Sequence, residues 1–216
     1  MYLIFKSLGI SGKKIIYPVN ICYAAVYPAL FAGNEVVYCD IDSRDGNLTF
    51  EKLKKVLVEE DKVAAVVVPH MYGNPVQEIA AIVSLCKEYS AICIEDCASA
   101  MGATIEGRQV GTFGDYALYS TGYAKTLDAG IGGIITSDFD LTDIKKIYKT
   151  LPYYSEQVEN NESFFSRLYR LIRNDKKQSM SRDIFTGLYD SMKDVLLFQI
   201  EEKKEIEIWN KLQELD

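Results

Sequence analysis

The 216-residue sequence contains one histidine, His70, and one tryptophan, Trp209. A single histidine leaves little room for a hydrolase triad, and the Gly-x-Ser-x-Gly elbow is missing. No apolar run reaches the roughly 18 residues of a membrane-spanning helix, so no membrane partner is expected. Basic charge is scarce: 24 Lys and Arg face 31 Asp and Glu, giving a net charge of −7. That balance argues against nucleic acid as a partner. No secretory pattern opens the chain, and the five cysteines (Cys22, Cys39, Cys86, Cys93, Cys97) are an odd count. Free thiols in a reducing, cytoplasmic compartment are therefore expected. Internal repeats and low-complexity linkers are also lacking. The run Gly9-Ile-Ser-Gly-Lys13 has neither the spacing nor the hydroxyl residue of a P-loop. Asp40, Asp42, Asp45 and Gly46 lack the spacing and closing Glu of a calcium loop and read better as a turn-rich strand-to-helix connection. Cys93 and Cys97 with His70 hint at a metal, but Cys93 falls in a predicted buried strand, so no metal site is expected.

Hydrophobic residues make up 48% and charged residues 25%, an ordinary globular balance. The length allows one large domain or one and a half. Such a chain can bury on the order of 70% of its extended surface without disulfide or metal staples. Short apolar runs at residues 14–17, 36–40, 64–69, 91–95, 116–120 and 133–137 read as strands. All but the first are apolar on both faces, as a sheet covered on both sides requires. Between them lie helical patterns at 23–32, ending at Gly33, at 50–59, capped by Thr49, and at 76–89, preceded by Pro75. The alternation predicts an α/β fold, a mostly parallel sheet with helices on both faces, over residues 1–150. Residues 151–216 read as a helical extension, with amphipathic helices at 163–173, 185–198 and 201–215 and a solvated basic turn at Arg170, Arg173, Lys176 and Lys177. Ligands of such sheets sit beyond the carboxyl ends of the strands, so residues 69–74, 96–100 and 120–125 are the places to look.

Two of those segments carry chemistry. Cys93-Ile-Glu-Asp-Cys-Ala-Ser-Ala-Met-Gly-Ala-Thr104 ends an apolar strand with an acidic pair, and Asp96 is placed to project into a cleft. In Gly111-Thr-Phe-Gly-Asp-Tyr-Ala-Leu-Tyr-Ser-Thr-Gly-Tyr-Ala-Lys125 a strand delivers Ser120 and then a lone lysine. Gly130, Gly132 and Gly133 follow and permit close backbone approach. A strand-end Asp, a hydroxyl and a desolvated lysine fit pyridoxal phosphate (PLP). The lysine forms a Schiff base, the carboxylate pairs with the pyridine nitrogen, and the hydroxyl holds phosphate. The alternative from residue chemistry alone is an exposed turn lysine and a capping Asp.

Residues 14–137 resemble the DegT/DnrJ/EryC1/StrS sugar aminotransferases, fold-type I PLP enzymes. The resemblance rests on Tyr17-Pro-Val-Asn-Ile-Cys-Tyr-Ala-Ala, Ala32-Gly33 leading to Val37-Tyr-Cys-Asp-Ile-Asp42, and Val68-Pro-His-Met-Tyr-Gly73. It continues through Ile94-Glu-Asp-Cys-Ala-Ser-Ala-Met-Gly-Ala103, Gly107-Arg-Gln-Val-Gly-Thr-Phe-Gly-Asp115 and Tyr119-Ser-Thr-Gly-Tyr-Ala-Lys125. It implies that Lys125 is the Schiff-base lysine and proton shuttle, that Asp96 partners the pyridine nitrogen, and that Ser120 binds phosphate. Ser99 stands where the family commonly has Gln beside the ring. Tyr23, or Cys22 by a one-residue shift, stands where an aromatic covers the ring. His70 falls in a family-like turn with a structural role. Family dehydratases carry His in place of Lys125, so the lysine implies amino transfer, from an amino acid such as glutamate to a nucleotide-linked ketosugar for lipopolysaccharide, capsule or related glycans. The resemblance also implies a homodimer and two pieces absent from this chain: an N-terminal phosphate-binding turn and a small C-terminal domain. The chain is thus expected to be truncated at both ends. An inactive fragment or interaction subunit is the alternative reading, and a sulfur-amino-acid lyase of the same fold a more distant one.

Overall fold

The computed structural model describes residues 1–122, 125–129 and 132–152, so the helical extension expected from 151 onward lies almost wholly outside the described residues. In chain order the elements are α1 (Tyr2–Ser7), β1 (Lys14–Pro18), α2 (Tyr23–Phe31), β2 (Glu35–Cys39), α3 (Phe50–Glu59), β3 (Val63–Pro69) and α4 (Ile79–Glu88). There follow β4 (Ile92–Asp96), β5 (Thr104–Ile105), β6 (Arg108–Gln109), β7 (Tyr116–Ser120), β8 (Gly133–Thr136) and α5 (Thr142–Tyr148). Six strands make one sheet in the order β2-β1-β3-β4-β7-β8, and β5 and β6 form a separate small hairpin. The first five strands of the sheet run parallel, and β8 returns antiparallel to β7.

The unbroken apolar strands are explained by cover on both faces. In β3, Val66 and Val68 pack with Leu53 and Leu57 of α3 and Ile79, Ile82 and Cys86 of α4. Its alternate residues Ala65 and Val67 pack with Phe5 of α1, Ala29 of α2 and Ile144 of α5. This is the period-two alternation of a strand applied to two cores at once. Each fully buried aliphatic side chain here contributes about 1.5–3 kcal/mol.

The helix ends follow local signals. Thr49 Oγ1 accepts the Lys52 N–H and caps α3. At the end of α2, Gly33 takes φ +81° while its N–H reaches Leu30 and the Asn34 N–H reaches Ala29. That doubly bonded ending needs a left-handed residue, which glycine supplies. Helix α4 starts at Ile79, later than its apolar pattern suggests, and in the loop ahead of it the Val76 N–H is held by His70 Nδ1 at 3.0 Å. The hairpin β5–β6 and helix α5 are additions that the sequence pattern did not show.

One buried carboxylate ties these pieces together. Glu95, in β4, has no exposed surface. Its Oε1 accepts the N–H groups of Phe113 (2.7 Å) and Gly114 (2.6 Å). Its Oε2 accepts the Gly111 N–H (2.8 Å) and faces His70 Nε2 at 3.1 Å. Since His70 Nδ1 is already an acceptor for Val76, the Nε2 carries the proton and donates to Glu95. Burial opposes the charge on Glu95, but His70 and the three backbone N–H groups outweigh it and hold its pKa below the ordinary value. Gly111, at φ +85°, permits the turn: a Cβ there would lie 2.0 Å from the Tyr119 hydroxyl.

Replacement of Glu95 by Gln forces an NH2 group toward donors that need an acceptor. Glu95→Gln is therefore expected to cost about 3–5 kcal/mol at pH 7 in urea unfolding. Because the folded pKa is lowered, the stabilisation is complete above the unfolded value of about 4.3 and is lost as pH falls through the folded value. The gap between wild type and variant should therefore close in acid, and equal midpoints at pH 7 would contradict this role.

Candidate active site

The parallel strands bring their carboxyl ends to one edge of the sheet, with Pro18, Cys39, Pro69, Asp96 and Ser120 as last residues. Because β8 runs the other way, its first residue, Gly133, pairs with Ser120 at the same edge. The site candidates collect there.

Asp96 closes β4, next to the Glu95 hub. Its backbone carbonyl accepts the His70 N–H at 3.1 Å, which locks the β3 and β4 ends together. Its Oδ1 accepts the Ala98 N–H at 3.0 Å. Burial raises its pKa, and the Ala98 N–H and the charges of Lys125 and the Met1 amino group oppose that rise without cancelling it. Adjacent residues on one strand thus have opposite tuning: Glu95 points into a nest of donors, and Asp96 is desolvated with too few. Tyr17, fully buried on β1, has its pKa raised by its own burial and then by the Asp96 charge.

Lys125 follows β7 in a turn closed by its N–H to the Gly122 carbonyl at 3.2 Å. It is half-buried, and its charge acts on Asp96. Ser120 is half-buried, and its Oγ accepts the Gly122 N–H at 3.4 Å. Gly130 lies outside the described residues; Gly132 and Gly133 do approach closely, but at Gly133 the partner is the neighbouring strand, where a Cβ would lie 2.8 Å from the Tyr119 carbonyl.

Ser99 and Tyr23 share this edge at exposed positions. Ser99 lies in the turn after Asp96, with its carbonyl 3.1 Å from where a Cβ on Gly73 would stand. Tyr23 opens α2, is 60% exposed, and sets its ring edge-on to Tyr27 with centroids 5.7 Å apart. Cys22, the residue before it, is exposed. Asp96 and Ser120 end strands at this edge, Lys125 follows in the turn after β7, and Ser99 and Tyr23 lie in the segments just beyond β4 and β1.

His70, Glu95 and Cys97 place ligand-type atoms within 4.8 Å of one another. Four donors fill the lone pairs of Glu95, and both ring nitrogens of His70 are engaged. Burial pushes the Cys97 thiol up, away from the thiolate a metal needs. This cluster is a hydrogen-bonded core. A cavity of about 440 Å³ near Gln109, Thr112, Tyr119 and Ile134 has none of Asp96, Ser120 or Lys125 in its walls.

Residues that sequence reading left out include Glu95 as an organiser and Asn47. The buried Asn47 side chain accepts the Met71 N–H and donates to the Asn74 carbonyl, fixing the turn after β3. Their partners are backbone groups, which carry no residue-type signal.

A carboxyl held in a dry place beside a lysine suits a cationic ring nitrogen, so the donor set fits the pyridine of PLP. The raised Asp96 pKa means its charge costs folding free energy: the favourable contribution is complete below the unfolded value of about 3.9 and is lost as pH rises through the folded value. Asp96→Asn should accordingly raise the melting temperature of the cofactor-free protein at pH 7. A lower melting temperature would make Asp96 a structural residue.

Comparison with known proteins bears on the fold and the family. The chain is 32% identical over 142 residues to a GDP-perosamine synthase from Vibrio cholerae, covering 65% of this chain and 38% of that one. An aminotransferase structure from Psychrobacter cryohalolentis superposes with a TM-score of 0.62 at 30% identity, covering 68% of this chain and 37% of the other. The E. coli GDP-4-keto-6-deoxy-D-mannose-3-dehydratase with bound hydrated PLP superposes with a TM-score of 0.60 at 27% identity, covering 68% and 39%. The chain spans well under half the length of each. A model of the DegT/DnrJ/EryC1/StrS aminotransferase family matches residues 1–171, and the chain belongs to that family.

Proposed function

We propose that this chain carries the cofactor core of a PLP-dependent enzyme that transfers an amino group from an amino acid, glutamate by family resemblance, to a nucleotide-linked ketosugar. The observation that carries this reading is the convergence of Asp96 and Lys125 at one sheet edge, close enough for the lysine charge to act on a desolvated carboxyl. Bound PLP supplies an electron sink. Asp96 would hold its ring nitrogen in the protonated state, and Ser120 would donate its hydroxyl proton to a phosphate oxygen. Lys125 would bond to the cofactor and move a proton at the substrate carbon. Ser99 would border the ring and Tyr23 cover it. Lys125 itself supports amino transfer over dehydration, since family dehydratases carry histidine there. The sugar product would enter cell-surface polysaccharide or a related glycan. A homodimer in the cytoplasm is the setting this reading implies, and among the described residues no helix is long and apolar enough to cross a membrane.

Titrating the purified 216-residue chain with PLP tests this directly. An absorbance band of the lysine-bound cofactor should appear in wild type and vanish in Lys125→Ala. No Lys125-dependent band would assign this chain to a non-catalytic role.

A further inference from the structure

Tyr72 is the most unusual residue at the carboxyl edge. Among the described residues, four non-glycine residues have positive φ, namely Lys62, Tyr72, Ser90 and Glu106, and Tyr72 is the aromatic one. It takes φ 57° and ψ 21° in the short 3-10 turn Met71–Gly73, and it is 80% exposed. A bulky ring in left-handed backbone is strained, and a largely exposed aromatic gains little from folding in return. The conformation is nevertheless over-determined. Asn47 grips both ends of the turn through the Met71 N–H and the Asn74 carbonyl, and further bonds run from Asn74 to Met71 and from Gly73 to His70. The ring rests one edge over Gly46, where a Cβ would be 3.6 Å from Tyr72 Cε2. Gly46 is fastened in turn by Asn20 Nδ2, which donates to its carbonyl at 2.8 Å. Two residues before Tyr72, the His70 N–H holds the backbone of Asp96. The loops after β1, β2 and β3 are thus stitched into one rigid rim, and Tyr72 is presented on it.

We infer that Tyr72 is a stacking platform for the planar base of the nucleotide-linked substrate, an inference that rests on the proposed function above. The chemistry orders the substrate along the edge. Its sugar must lie at Asp96 and Lys125, where the reacting atoms are, so its nucleotide extends outward toward the rim. An exposed phenol ring there offers a face to any base, because stacking requires only a π-surface. Strain held at an exposed residue by several independent hydrogen bonds marks a functional constraint of this kind.

Calorimetric titration of the 216-residue chain with GDP, UDP and dTDP tests the assignment, using wild type, Tyr72→Gly and Tyr72→Phe. Glycine removes the ring and suits the left-handed backbone, so Tyr72→Gly should keep or raise the melting temperature. It should bind the nucleotide preferred by wild type at least about tenfold more weakly, whereas Tyr72→Phe, which keeps the ring, should stay within about twofold. The Lys125-dependent cofactor band should be the same in all three. Equal affinity in wild type and Tyr72→Gly would overturn the inference while leaving the proposed function standing. Wild type that binds none of the three nucleotides would likewise overturn the inference, and the Lys125-dependent band then decides the proposed function separately.

Discussion

Glu95 is a charge with no exposed surface, and four donors from two other stretches of chain converge on it. A bare carboxylate could not remain there, so the turn at residues 111–114 and the imidazole of His70 must be in place for the sheet to close. Those partners fix what lies beside them. His70 also restrains the start of α4 through Val76 and holds the Asp96 carbonyl. The 111–114 turn leads directly into β7, which ends at Ser120. The hub therefore sets the spacing of three strand ends that never contact it through their functional atoms.

Stability and chemistry are divided between neighbours. On one strand, Glu95 faces donors and is stabilised as an anion, whereas Asp96 is desolvated and stabilised toward the neutral form. The first arrangement strengthens the fold, and the second weakens it unless a cationic partner arrives. Tyr72 repeats that second pattern in the backbone, with strain imposed by Asn47 and its surroundings. Residues whose local environment is unfavourable are the ones the proposed chemistry uses, as expected when binding offsets a preorganised cost.

Much of the fold is legible in the sequence because its causes are local or periodic. Apolar runs bounded by turn residues located all six sheet strands to within a residue or so, and Thr49 and Gly33 marked helix ends by their own chemistry. The proposed site is nominated from the sequence where residue type carries the proposed role, as with Asp96, Ser120 and Lys125. It was not legible where the partner is a backbone group. Nothing in the letters of Gly111, Phe113 and Gly114 says that three N–H groups meet Glu95. The β5–β6 hairpin is too short to generate a pattern, and α5 buries only Ile144.

The central claim is that the edge built around Glu95 presents Asp96 and Lys125 to the two ends of one cofactor ring system. A crystal structure of the chain soaked with PLP measures this most directly. The Asp96 carboxylate should lie at hydrogen-bond distance, about 2.6–3.0 Å, from the pyridine nitrogen, with continuous density from Lys125 Nζ to the cofactor. Cofactor bound elsewhere, or bound with its ring nitrogen remote from Asp96, would contradict it.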